Sequence, residues 1–332
     1  MQEDSTHVQP HHAAEAHREE ANPQGGEVFT YLLKGLGDHH ELKIFFGSYK
    51  ILPIILVDNG FHVYSNEHTM EEAGQYTLHE GHPVRTSDGG HPALDLSITN
   101  FVAYEFIAIA LMLIFSMVVR ATVKKDPLKA PSGLANAIEA MVTYVRDEMV
   151  VPNVGTKKRA TTWMPYFLAL FFFILILNLI GLMPGCHAAT GSLAVTTGLA
   201  LTSFVLVNFI AMKDAGVGNW FKHLLGGAPL YIAPIMVPIE IVSLFTKPFA
   251  LTIRLFANMT AGHVVLLSLV GLIFFFQSFL VAPVSVAFSV FIYMLELLVA
   301  VLQAYIFTML TAVFVGLALG DHAKDDHHAH AH

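Results

Sequence analysis

The sequence predicts an all-α polytopic membrane protein of about five crossings, preceded by a small extramembrane segment with a β-hairpin. Three observations carry this. Of 332 residues, 54% are hydrophobic and 13% charged, roughly half the charged share of a soluble domain. Five apolar tracts follow residue 99. Three have the length of one bilayer-spanning helix, and two, at 230–276 and 280–319, have about twice that. Finally, acidic and His residues crowd the first hundred positions and the last dozen, leaving the middle sparsely charged. The net charge of −8 comes with no dense basic patch, which excludes nucleic acid as a partner. The single Cys186 excludes an internal disulfide framework and a multi-Cys metal site.

Residues 1–96 form the extramembrane extension. Residues 1–28 are polar and His-rich, the composition of a disordered segment. They contain neither a basic n-region nor an apolar h-region, so no signal peptide is visible, and export of this segment implies a processed chain or an upstream start. Residues 43–66 are rich in β-branched and aromatic types around Asp58-Asn59-Gly60, a hairpin turn signal. Pro53 is expected to place its strand at a sheet edge. Residues 68–96 read as a loop.

The membrane domain covers 97–320. Its first span runs from Asn100 to Val119, and residues 133–150 have the periodicity of an amphipathic helix lying on the membrane surface. Spans two and three run over about 164–183 and 193–212. The two long tracts that follow must tilt steeply, break or lie partly along the membrane, and "FQSFLVAP" between them reads as the turn of a hairpin. Residues 321–332 form a His-rich tail.

Basic residues set the orientation. Arg120, Lys124, Lys125 and Lys129 follow span one, Lys157, Lys158 and Arg159 precede span two, and Lys213 and Lys222 follow span three. All fall on one side if the N-terminus is outside and the C-terminal tail is cytoplasmic. Trp163 and Trp220 then sit at inner ends, where aromatic belts form.

Between 230 and 319 the ionisable residues are Glu240, Lys247, Arg254, His263 and Glu296, apart from tyrosines. Such groups at membrane depth face a protein interior or a water path. Glu240, Lys247 and Arg254 are seven apart and share a helix face, which Asn258 joins, whereas His263 points away from it. A hairpin centred near 279 places Arg254 level with Gln303 and His263 level with Glu296, the latter layer roughly 13 Å further out. The pattern reads as two polar half-paths separated by a fixed positive charge. Arginine suits that role because it stays protonated at any working pH, and His263 beside Glu296 can relay protons near neutrality.

Other polar residues have plainer readings. Lys247 can reach the inner interface with its long stem or take part in the path. Glu105 reads as interfacial, and Asn178 as a helix–helix hydrogen bond. The pairs His11-His12 and His327-His328 read as solvated, without a rigid framework for metal. No phosphate-cradling glycine loop is present, so no direct ATP binding and no cofactor is expected. A self-sufficient secondary transporter is the rival function, but it calls for an inverted repeat that the two long tracts, with their different polar content, do not show. A scaffold with a metal-binding outer domain leaves Arg254 unexplained.

At these residues the sequence resembles a known family, subunit a of the F-type ATP synthase membrane sector. "SLFTKPFALTIRLFANMTAGH" is similar to the family's segment around its essential arginine, here Arg254. "LQAYIFTMLTAVFV" is similar to its last helix, with Gln303, and "LILNLIGLMP" to its second span, with Asn178. The resemblance covers about 97–320. It implies a non-catalytic, proton-translocating stator subunit whose Arg254 faces the carboxylates of a rotating c-ring. It also implies an outer half-channel lined by Asn258, His263, Glu296 and Gln303 and an inner one by Glu240. The implied partners are the oligomeric c-ring, the peripheral-stalk b subunits and the rest of the complex, in a bacterial inner membrane. Many bacterial members have Glu where this chain has His263 and His where it has Glu296, so one acid and one imidazole are kept. The long N-terminal extension is not explained by the resemblance.

Overall fold

The computed structural model describes residues 37–319 except 45–46, 59, 80, 126–132, 156, 184, 215, 219, 221–231 and 277–279. The disorder expected at 1–28, both terminal His pairs and the tail lie outside the described residues. Two compact units are present. One comprises residues 38–262 and 294–319, and the other, among described residues, 37 and 263–293.

The larger unit begins with short strands. β1 (Leu42–Ile44) pairs antiparallel with β2 (Gly47–Tyr49). β3 (Ile54–Val57) and β4 (Phe61–Tyr64) form the expected hairpin across Asp58 and Gly60. β3 lies in the middle of its sheet, because β7 (Leu94–Asp95) pairs with its other edge. The edge position expected from Pro53 is therefore corrected. Pro53 precedes the first paired residue, so its missing N–H breaks no ladder bond, and its carbonyl accepts from Ile98 N–H at 3.1 Å. The expected loop over 68–96 also contains structure. α1 (Glu67–Glu72) starts at Asn66 with a reciprocal cap to Thr69, and β5 (Tyr76–His79) pairs with β6 (His82–Arg85). Ile54, Leu56, Met70 and Tyr76 form a small core. Under it, the buried Asp58 carboxylate accepts a bidentate pair from Arg85 and the Tyr76 hydroxyl at 3.1 Å. The Arg85 guanidinium holds the Asp58 carboxyl below the usual carboxylate range.

Among the described residues, five helices are long and apolar enough to cross a membrane. The chain is a multi-pass membrane protein. α2 (Asn100–Lys125) is the first span. α3 (Leu134–Tyr144) continues through a π-helical turn, Val145–Val150, into α4 (Val151–Val154). Val145, the adjacent Met149 and Val150, and Val154 recur at intervals of four to five residues across this wide turn and share one face. All four are buried in the main core. That part of the predicted surface helix thus packs on protein rather than lying free on the bilayer. α5 (Lys157–Leu182) and α6 (Leu193–Asp214) follow, α5 starting seven residues earlier than predicted. The start of α5 and the end of α6 are tied by Trp163, whose indole donates to Asp214 at 3.3 Å beneath the Lys213 ammonium. α7 (Ala233–Phe276) and α8 (Val281–Leu319) have 44 and 39 residues, or roughly 66 and 58 Å of helix against a core about 30 Å thick. Both helices run unbroken over these lengths.

The main core joins Phe167, Leu170 and Ile174 of α5 to Leu251 and Leu255 of α7 and to Ala304, Phe307, Ala312 and Val315 of α8. A second cluster packs Phe101, Tyr104 and Ala108 of α2 on Ile176, Leu177 and Ile180 of α5. At Gly316 of α8 a methyl group would run into the Asn153 carbonyl, so only glycine allows this approach. In the smaller unit, the end of α7 and the start of α8 present mostly exposed apolar side chains and enclose a cleft of about 270 Å³ between Leu266, Val270 and Val290.

Candidate functional site

Arg254 lies at the middle of α7, at the border of its packed face. Leu251 and Leu255 beside it are buried, while Ile253 is 40% exposed. The guanidinium is half-buried. Among the described residues no carboxylate lies within 4.0 Å of it, although Arg85, Arg146 and Arg159 all have one.

One turn on, Asn258 donates its amide to Gln303 Oε1 at 2.9 Å. Gln303 is fully buried, with its own Nε2 unpartnered among the described residues. The side chain that Gln303 engages is thus Asn258, one turn from the Arg254 expected to lie level with it, as side chains reach along the helix from their own Cα atoms. Glu296 is 5% exposed. Its carboxylate lies over Gly262, where a Cβ would stand 2.8 Å from Oε1. His263, half-buried, opens the smaller unit.

On the other side of Arg254, a cavity of about 40 Å³ has Glu240, Lys247, Ser203, Asn208 and Thr311 in its wall and ends at Leu251. That is room for a few waters. Lys247 stretches over the Phe314 ring, 5.5 Å from its centroid. Pro248 cannot donate to the Leu244 carbonyl, which frees that oxygen beside the cavity. Asn178, fully buried, donates to Ala300 O at 3.1 Å and accepts from the Thr190 hydroxyl at 2.8 Å. It ties α5 to α8, the helix–helix bond read from the sequence. Glu105 is half-buried near the start of α2.

The ATP synthase A chain family model matches residues 102–316, which contain every one of these groups. The chain belongs to the ATP synthase A chain family. It is 48% identical over 240 residues to ATP synthase subunit a of Chloroherpeton thalassium, covering 71% of each chain. With the same subunit of Myxococcus xanthus it shares 46% over 239 residues, 71% of this chain and 78% of the relative. The Chlorobium phaeobacteroides subunit is 46% identical over 269 residues, 80% of this chain and 76% of the other. Membership makes the chain a membrane subunit of an ATP synthase.

Chemically, the arrangement separates two groups of polar side chains by a cation that cannot release its proton. One group is Glu240 with Lys247 and the cavity, the other Asn258, Gln303 and Glu296. Sequence reasoning missed Ser203 and Asn208 of α6 and Thr311 of α8, which lie on other helices than Glu240 and Lys247 and carry no local signal. Gly262 was also missed, since nothing in its neighbourhood announces that a carboxylate from α8 rests on it. Among the described residues no group of three His, Cys, Asp or Glu side chains could hold a metal ion.

Proposed function

We propose that the chain is the stator subunit of the synthase's proton channel, in a bacterial inner membrane with its N-terminus outside and C-terminus cytoplasmic. Two offset half-channels deliver protons to and from the carboxylates of a rotating c-ring, with Arg254 as the separating charge. Asn258, His263, Glu296 and Gln303 line the outer half-channel, and Glu240, with Lys247, the inner one. The peripheral-stalk b subunits hold the chain against rotation. The chain itself performs no ATP chemistry.

One observation carries this reading: a half-buried guanidinium inside an apolar span, with no carboxylate of the described chain beside it. An arginine at membrane depth costs about 3 kcal/mol on insertion scales, so its natural complement is an acidic group supplied by a partner. A protonated ring carboxyl brought to Arg254 loses its proton, because the fixed cation favours the ionised form. It cannot carry the same proton straight through, which couples transfer to rotation. Replacing Arg254 by Ala is expected to abolish ATP synthesis at wild-type subunit levels. Lys should restore it only in part, since an ammonium lacks the planar fork and has a different reach. Normal synthesis in the Arg254→Ala strain would refute the assignment.

A further inference from the structure

Where α2 leaves the strand domain, the larger unit buries more polar atoms than it pairs. Asn100 is 0% exposed, and neither atom of its side-chain amide has a hydrogen-bond partner among the described residues. Asp38 Oδ1 is likewise unpartnered, and the His40 ring, on a residue 4% exposed, lies against the Gly81 backbone. Three elements converge here. The Asn100 backbone N–H donates to His39 O at 2.9 Å. The His39 ring meets the edge of His187, from the α5–α6 connection, with centroids 6.3 Å apart. The Tyr104 hydroxyl of α2 donates to Lys43 O at 2.6 Å.

From His187 the polar groups continue inward within the same unit. Three residues on, Thr190 bonds Asn178, which bonds the Ala300 carbonyl of α8. Gly191 O accepts from the Thr260 hydroxyl of α7 at 3.3 Å. Two residues beyond Thr260 is Gly262, under the Glu296 carboxylate. Polar groups thus recur along the chain between the strand domain and the Glu296 layer, in a connection that the proposed half-channel residues do not include.

We propose that His39 and His187 form the outer mouth of the proton path, taking protons from the strand-domain side and passing them towards Glu296 through waters held by Asp38, His40 and Asn100. This rests on the reading of Glu296 as a path residue. Buried polar groups that the protein leaves unpaired are sites of ordered water, which needs two to four polar partners. Imidazoles titrate near neutrality, so they can hold protons at concentrations where an ordinary carboxylate is empty. Asp38 interacts with both His39 and His40, Glu67 and Asp95 interact with His40, Tyr104 of α2 reaches Cys186 and the His187 backbone, and Glu105 of α2 lies within electrostatic reach of Asp38. Burial raises the Asp38 carboxyl and lowers the His40 imidazole from their ordinary values. Both shifts bring the groups nearer to each other's titration range. The N-terminal extension thereby gains a role that the membrane domain alone does not supply.

The test uses the complete synthase in proteoliposomes, with ATP synthesis driven at constant proton-motive force while the pH on the strand-domain side is varied. His39→Ala/His187→Ala is expected to slow synthesis about tenfold near pH 8 and less than about twofold near pH 5.5, where protons are abundant. Added imidazole should restore part of the loss. Should the double variant fail to assemble, His187→Gln keeps volume and a hydrogen-bonding tip and is expected to show the same pH-dependent loss. A wild-type pH profile, or an equal loss at every pH without imidazole rescue, would overturn the proposal. Arg254→Ala in parallel separates the two readings. If it abolishes synthesis while the histidine variants behave as wild type, only the mouth is wrong. If it leaves synthesis intact, the path itself is.

Discussion

Gly262→Ala sets two effects of opposite sign against each other. In an open helix position, alanine is about 0.8–1.0 kcal/mol more favourable than glycine. Here the new Cβ would stand 2.8 Å from Glu296 Oε1, 2.9 Å from its Cδ and 3.2 Å from its Cγ. Ordinary contact begins near 3.4 Å, so the carboxylate must retreat by roughly 0.6 Å or more. Glu296 is 5% exposed and has little space to do so. Overpacking of this kind costs about 1–3 kcal/mol, which exceeds the propensity gain. If the strain falls on the placement of the relay carboxyl, proton transfer slows by about 5- to 150-fold. The assay is ATP-driven acidification in inverted vesicles with matched subunit amounts. Gly262→Ala should pump slowly while remaining coupled, because Arg254 is untouched. Glu296→Asp in the same chain shortens the side chain by one methylene and should recover much of the rate. A Gly262→Ala variant that pumps as wild type would refute the reasoning, for it would mean that the carboxylate does not need to rest where the structure has it.

Asn178→Leu removes the bonds to Ala300 and Thr190. At about 0.6 kcal/mol each, and up to about 1.7, it should lower stability by roughly 1–3 kcal/mol in a thermal unfolding assay in detergent, and an unchanged midpoint would contradict this. Gly316→Ala should prevent stable accumulation, because its methyl meets the Asn153 backbone carbonyl, whereas Gly198→Ala, with open space around it, should accumulate normally. The Asp58 carboxyl has a folded pKa below its unfolded one because of Arg85. Its contribution is therefore present above the unfolded value, near pH 4, and lost as pH falls through the folded one. Hydrogen exchange of the β3–β4 amides should rise steeply in acid below about pH 4, and Asp58→Asn should flatten that rise.

The sequence by itself determined that this is a membrane protein, the five apolar helices found among the described residues and the positions of its costly charges. These follow from local composition: a run of about 20 apolar residues has one stable solution in lipid, and a lone arginine inside such a run is conspicuous wherever the chain folds. The turn at Asp58–Gly60 was legible for the same reason, since its signal is contained in three adjacent residues. The central position of β3 was not, because it depends on Leu94 and Asp95 returning to pair from nearly forty residues away. Nor was the bond from Asn258 to Gln303, the rest of Glu296 on Gly262, or the cavity that brings Ser203, Asn208 and Thr311 to Glu240 and Lys247. Periodicity assigns a residue to a face of its own helix. How far one helix slides along another is decided by packing among several helices at once, and only the tertiary structure contains that answer.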